Sequence, residues 1–158
     1  DLLLQGGRQP MRDLSEQLRE SCFLAILDGK ELLILAGTPA PGPLLVHVKF
    51  GERVPWDQTT AGRLLAALMA ADQRRRQLGV GTTAELKEIA GRGWIAERSS
   101  LHPGVRTLAV PVRLPAGWAA LGVVSIDARD QSLWTEEIVA ACRKAAARIS
   151  EAMGFAPA

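Results

Sequence analysis

The chain predicts an α+β domain, an antiparallel sheet flanked by helices. Two observations supply the sheet: a strong hairpin signal within 22–36 and three consecutive strand-like runs within 92–129. A third supplies the helices: apolar residues recur at helical spacing at both ends and between the two strand groups. The expected order is helix, three strands, two helices, three strands, helix. At 158 residues this is most simply one domain, spanning 1–158 and long enough to bury a core unaided.

Residues 1–10 begin apolar, fray at Gly6-Gly7 and close at Pro10; helix is expected from 11 to 21, with Met11, Leu14 and Leu18 on one stripe. The apolar runs 22–27 and 31–36 flank Asp28-Gly29, a two-residue hairpin signal. Three prolines in 38–43 exclude regular structure. Alternation over 44–50 predicts a half-buried strand ending at Gly51. Thr59 or Thr60 is a natural N-cap for a helix over 63–77 carrying Leu64, Leu65, Leu68 and Met69. Arg74-Arg75-Arg76 closes it and reads as a solvated helix end that complements the dipole. Thr82-Thr83-Ala84-Glu85 fits a capping box for a short helix to Ala90.

The strands expected at 94–97, 106–114 and 118–127 follow, the last two joined through Pro115-Ala116-Gly117. Pro111 cannot donate to a ladder and belongs on an edge or at a bulge. Gly122 lacks a side chain, so a close approach is allowed there, and a pocket on this sheet is expected near the pair. The final helix, 135–154, is capped by Thr135 and carries Ile138, Cys142, Ala145, Ile149 and Met153 on one face.

Composition excludes several classes. A formal charge of +2 is too small to define a nucleic-acid surface, and no apolar run approaches the roughly 18 residues of a membrane span. Cys22 and Cys142 have neither CxxC spacing nor an adjacent His, and read as reduced, buried thiols. Neither metal nor cofactor is expected: His47 and His102 are far apart and lack a third ligand pattern. One ligand feature stands out. Thr60-Ala61-Gly62 exposes backbone N–H groups at a helix N-terminus, a standing site for a carboxylate or phosphate.

Several stretches, taken together, resemble the effector-binding domain of the IclR (isocitrate lyase regulator) family of bacterial transcription factors. They are Leu14 to Leu27 with Asp28-Gly29, Gly51-Glu52-Arg53-Val54-Pro55 leading to Thr60-Ala61-Gly62-Arg63-Leu64-Leu65-Ala66, Arg92-Gly93-Trp94 with Glu97, Pro103-Gly104-Val105-Arg106-Thr107-Leu108-Ala109-Val110-Pro111-Val112, and the closing Ala145-Ala146-Ala147-Arg148-Ile149-Ser150. The resemblance covers essentially the whole chain. It implies a GAF-like curved antiparallel sheet of about six strands, with the first and last helices on one face. It also implies a cytoplasmic sensor without catalysis, which binds a small carboxylic or aromatic acid and self-associates to a dimer or tetramer. DNA would be read by an N-terminal winged helix-turn-helix outside this chain, which opens on Asp1 rather than Met.

Carried over residue by residue, the implied ligand-binding set is Thr60 and Ala61 at the helix start, Glu97 after the Arg-Gly-aromatic strand, Thr107 after Val105-Arg106, and Ser125 on the last strand. Arg98-Ser99-Ser100 departs from the family's acidic run and reverses the local charge. Trp56 and Trp94 are further candidates for pocket walls. Two competing classes carry their own discriminators. A GAF-like redox enzyme would need an accessible Cys22–Cys142 pair within disulfide reach. A ligand-free oligomerisation module would show a filled interior near Thr60, Glu97 and Thr107.

Overall fold

Two tight hairpins seed the sheet. The first turns at Gly29, the second at Pro115-Ala116 just before Gly117, and both glycines take a positive φ (62° and 111°) that a residue without a side chain adopts readily. The computed structural model describes residues 1–42, 50–99, 102–126 and 134–155. In chain order they form α1 (Leu2–Leu18), β1 (Ser21–Asp28), β2 (Glu31–Thr38), β3 (Arg53–Pro55), a 3-10 turn (Trp56–Gln58), α2 (Thr60–Leu68), α3 (Ala71–Leu78), α4 (Ala84–Arg92), β4 (Ile95–Arg98), β5 (Val105–Leu114), β6 (Gly117–Ile126) and α5 (Glu136–Ala152). The six strands make one curled antiparallel sheet in the order β3-β2-β1-β6-β5-β4. This is the expected α+β, GAF-like architecture.

Strand pleating sends alternate residues to opposite faces and so builds two cores. On one face Leu24, Leu108, Val110, Leu121 and Val123 pack against α1 and α5. On the other, Phe23, Ala25, Ile34, Ala109, Ala120 and Val124 pack beneath α2 and α4. β5 lies inside the sheet, yet Pro111 is tolerated because the pairing of β4 with β5 ends at Ala109.

Three elements depart from expectation. Helix α1 starts at Leu2 and runs through Gly6, Gly7 and Pro10. Its buried stripe of Leu3, Gly7, Met11 and Leu14 begins well before Pro10. The two glycines allow a close approach: an added Cβ would lie 2.7 Å from Ala152 at Gly6 and 2.4 Å from Leu24 at Gly7. The helix expected over 63–77 is instead two helices, α2 and α3, broken at the extended residues Met69 and Ala70.

The break explains the third departure. Arg74 is 3% exposed, not a solvated helix end. Its guanidinium donates to the carbonyls of Ala66 (3.2 Å), Met69 (3.1 Å) and Gly81 (3.2 Å) and to Thr82 Oγ1 (2.6 Å). It thereby satisfies orphan acceptors at the C-terminus of α2. Arg75 and Arg76 are exposed as expected. The strand expected over 44–50 lies, except for Phe50, outside the described residues, as does His47; among the described residues β3 pairs beside β2.

Candidate functional site

Phe23 on β1 pairs in register with Gly122 on β6. A Cβ at Gly122 would fall 2.1 Å from the Phe23 ring, so the glycine is what lets the ring lie against the sheet. The approach anticipated at Gly122 is therefore an aromatic floor. Above that floor is a cavity of about 270 Å³. Leu32, Ile34 and Val54 wall it from the β2–β3 hairpin, Val105, Thr107 and Val124 from β5 and β6, and Thr59, Thr60 and Ala61 from the start of α2. Glu52, Gln58, Ser99 and His102 complete the lining.

The helix end is well defined. Thr59 is the N-cap, with extended backbone (φ −127°, ψ 148°), and its hydroxyl accepts the Gly62 N–H at 2.8 Å. Gly62 has no room for a side chain: a Cβ would sit 2.2 Å from the Trp56 carbonyl oxygen, which packs the 3-10 turn onto the first turn of α2. The N–H groups of Thr60 and Ala61 belong to the helix's first positions and have no intrahelical acceptor. The end of α2 that carries them borders the cavity. Partial positive charge from the helix dipole accumulates there as well.

Thr60 is buried, and its hydroxyl donates to Glu97 Oε1 at 2.9 Å. Glu97 is paired with Arg63, whose guanidinium also reaches Glu85 at 3.5 Å and the Thr59 carbonyl at 3.3 Å. Glu97 thus stands behind Thr60, in a groove shared with Arg63, Glu85 and Ile95, and does not line the cavity. Its strand partner Thr107 does line it.

Of the five residues expected to bind ligand, the structure brings Thr60, Ala61 and Thr107 together around the cavity and sets Glu97 one layer back. Ser125 lies on the other face of the sheet. It borders a void of about 30 Å³ with Leu18, Val123, Trp134 and Ile138, and its buried hydroxyl has no hydrogen-bond partner among the described residues. Its neighbour Val124 faces the cavity in its place.

The two tryptophans are not cavity walls. Trp56 packs beside α2, and Trp94 packs on the α1–α5 core with Arg92 over its ring at 5.4 Å. Phe23, Glu52 and His102 were missed. Phe23 falls in a continuous apolar run, which carries no alternation to reveal its facing. Glu52 and His102 sit outside helices and strands, where periodicity says nothing. Among the described residues no cluster of three or more His, Cys, Asp or Glu could hold a metal. Cys22 and Cys142 are buried free thiols in the α1–α5 core. Desolvation raises both, Cys142 to about 12, and the neighbouring Cys142 lifts Cys22 further. A reactive thiolate needs the opposite environment.

The fold is an α+β domain with a curled antiparallel sheet, and sequence comparison places it. Residues 3–151 match the family model described as the bacterial transcriptional regulator IclR C-terminal domain, and the chain belongs to that family. The Pca regulon regulatory protein of Pseudomonas putida is 30% identical over 134 residues, covering 73% of this chain and 46% of the relative. The HTH-type transcriptional regulator KdgR of Dickeya chrysanthemi is 25% identical over 170 residues, covering 97% and 56%. The chain therefore spans about half the length of these curated relatives.

Among solved structures, the C-terminal domain of Escherichia coli KdgR superposes with a TM-score of 0.82 at 24% identity, covering 98% of this chain and all of that one. The Thermotoga maritima IclR structure gives 0.83 at 16% identity, covering 97% and 69%. These likenesses establish the shared fold. The relatives are transcriptional regulators, not enzymes. No helix among the described residues is long and apolar enough to cross a membrane.

Proposed function

We propose that this domain is the effector sensor of a cytoplasmic transcriptional regulator, binding a small organic acid in the cavity at the start of α2. One observation carries the reading: a cavity of about 270 Å³ with an aliphatic and aromatic floor is bordered by a helix N-terminus whose first N–H groups lack intrahelical acceptors. The apolar floor suits a hydrocarbon body, and the helix end suits a carboxylate. Self-association and a DNA-reading domain outside this chain complete the proposal. The ligand then acts through unequal affinity for two arrangements of the assembly.

Position 60 offers a clean test, because it is the first residue of α2. Proline is tolerated there, its φ suits the helix, and the extended backbone of Thr59 suits a following proline. Thr60→Pro removes the backbone donor, whereas Thr60→Val keeps it and removes only the hydroxyl. In a thermal-shift screen against small carboxylic acids, a ligand at about a hundred times its Kd adds about 2.7 kcal/mol. The expected result is that Thr60→Pro weakens the best acid by about tenfold or more and Thr60→Val by less. Equal losses in both variants would place the contact on the side chain and refute the helix-end docking.

A further inference from the structure

Glu97 and Glu52, two of the acids near the start of α2, differ in one respect. Glu97 is neutralised: Arg63 pairs with it and Thr60 donates to it. Glu52 lines the cavity itself, and among the described residues its side chain makes no hydrogen bond or ion pair. Only its backbone is engaged, the carbonyl accepting the Ile34 N–H at 3.0 Å. The ionisable side chains among the described lining residues are Glu52 and His102, with no lysine or arginine.

We infer that Glu52 is a specificity-determining residue, selecting a monocarboxylic acid that carries a second group able to donate to it, a hydroxyl or an ammonium, and rejecting dicarboxylic acids. The inference rests on the acid-binding reading above and deepens it. While the cavity is open, water solvates the Glu52 carboxylate. A ligand that fills the cavity strips that water, and a carboxylate covered without a donor is strongly penalised. A ligand hydroxyl or ammonium replaces the lost water with a charge-assisted hydrogen bond. A second carboxylate would instead meet Glu52 as a like charge in a partly apolar space, where screening is weak.

The helix end and Glu52 thus ask opposite things of one ligand. The first accepts an anion and the second requires a donor. A hydroxy acid or an amino acid with an aliphatic body meets both requirements.

The test uses matched probes that differ only at the far end. Butanoate, hexanoate and octanoate are each titrated calorimetrically, alongside their ω-hydroxy, ω-amino and ω-carboxy forms, into the wild-type domain and Glu52→Gln. Glutamine keeps the length of the side chain and the backbone bond to Ile34. The expected result in the wild type is that the best ω-hydroxy or ω-amino acid binds about tenfold or more tighter than its parent. The ω-carboxy acid should bind weakest. In Glu52→Gln the ω-amino advantage should collapse and the ω-carboxy acid should gain about tenfold. Dicarboxylates binding the wild type as tightly as hydroxy acids would overturn the assignment of Glu52 and leave acid binding intact. So would an order of affinities unchanged by Glu52→Gln. Binding of no member to either protein would overturn the acid-binding reading itself, and the inference with it.

Discussion

A thiol surrounded by aliphatic side chains resists ionisation, and that resistance becomes a liability in alkali. Cys22 and Cys142 are both essentially inaccessible, and desolvation is the first cause of each raised value. Below their ordinary value of 9.0, folded and unfolded chains are equally protonated and no stability is at stake. Above it the unfolded chain ionises while the folded one does not. Stability then falls by about 1.4 kcal/mol per pH unit for each thiol. For Cys142 the loss continues until the pH reaches about 12. Urea midpoints measured at intervals from about pH 8 to 11 should therefore drop more gently in Cys142→Ala than in the wild type. Parallel slopes would show that the thiol ionises as readily in the folded chain.

Residue identity was legible in the sequence wherever chemistry is local. Thr60 and Ala61 were readable because a helix start announces itself through small, capping residues. Facing was not legible. Ser125 and Val124 exchange roles with a one-residue change of register, and no local signal fixed that register across Pro115, Ala116 and Gly117.

At the scale of elements, the α2–α3 break shows what a periodic reading cannot see. Leu64, Leu65, Leu68 and Met69 continue one helical stripe, yet the chain turns at Met69 because Arg74 folds back to serve the carbonyls that the break exposes. The same guanidinium reaches Gly81 and Thr82 just before α4, so one side chain ties three helices together. Arg74→Met keeps much of the aliphatic stem and leaves those acceptors without their donors. It should lower unfolding stability by about 3 kcal/mol, whereas Arg75→Met, on an exposed pair with Asp72, should change it by less than about 1 kcal/mol. A loss in Arg74→Met no larger than in Arg75→Met would mean the carbonyls find water. The early start of α1 was hidden for a related reason. Two glycines and a proline argue against a helix locally, but close packing on α5 outweighs that propensity.

For the whole molecule, the pairing pattern decides what can fold alone. The central ladder joins β1 to β6, setting Cys22 opposite Val123. The first helix likewise packs on the last, with Asp13 of α1 bound to Arg148 of α5 at 3.0 Å. Without β6 the other five strands fall into two blocks, β3-β2-β1 and β5-β4, that share no ladder. A fragment of residues 1–115 should lack dispersed amide resonances, and adding the peptide 116–158 should restore them. Native-like dispersion in the fragment alone would show that the two blocks of strands hold together without β6 and α5. Five of the six strands and the flanking helices were readable from period and turns, whereas β3, three residues long, carries no periodicity; nor was it readable which strands are neighbours, since that choice is made by contacts about a hundred residues apart.

The β1–β6 seam also sets a schedule. During synthesis at about 5–20 residues per second, β1 emerges many seconds before the strand that covers its flank. Throughout that interval Cys22, Phe23 and Leu24 form an apolar edge with one neighbour, β2, and an open side. The nascent chain carries a ready template for mispairing until Gly122 arrives to receive the Phe23 ring. Slowing the ribosome between β2 and β6 would lengthen that exposure and lower the soluble yield, while the finished protein would be unchanged.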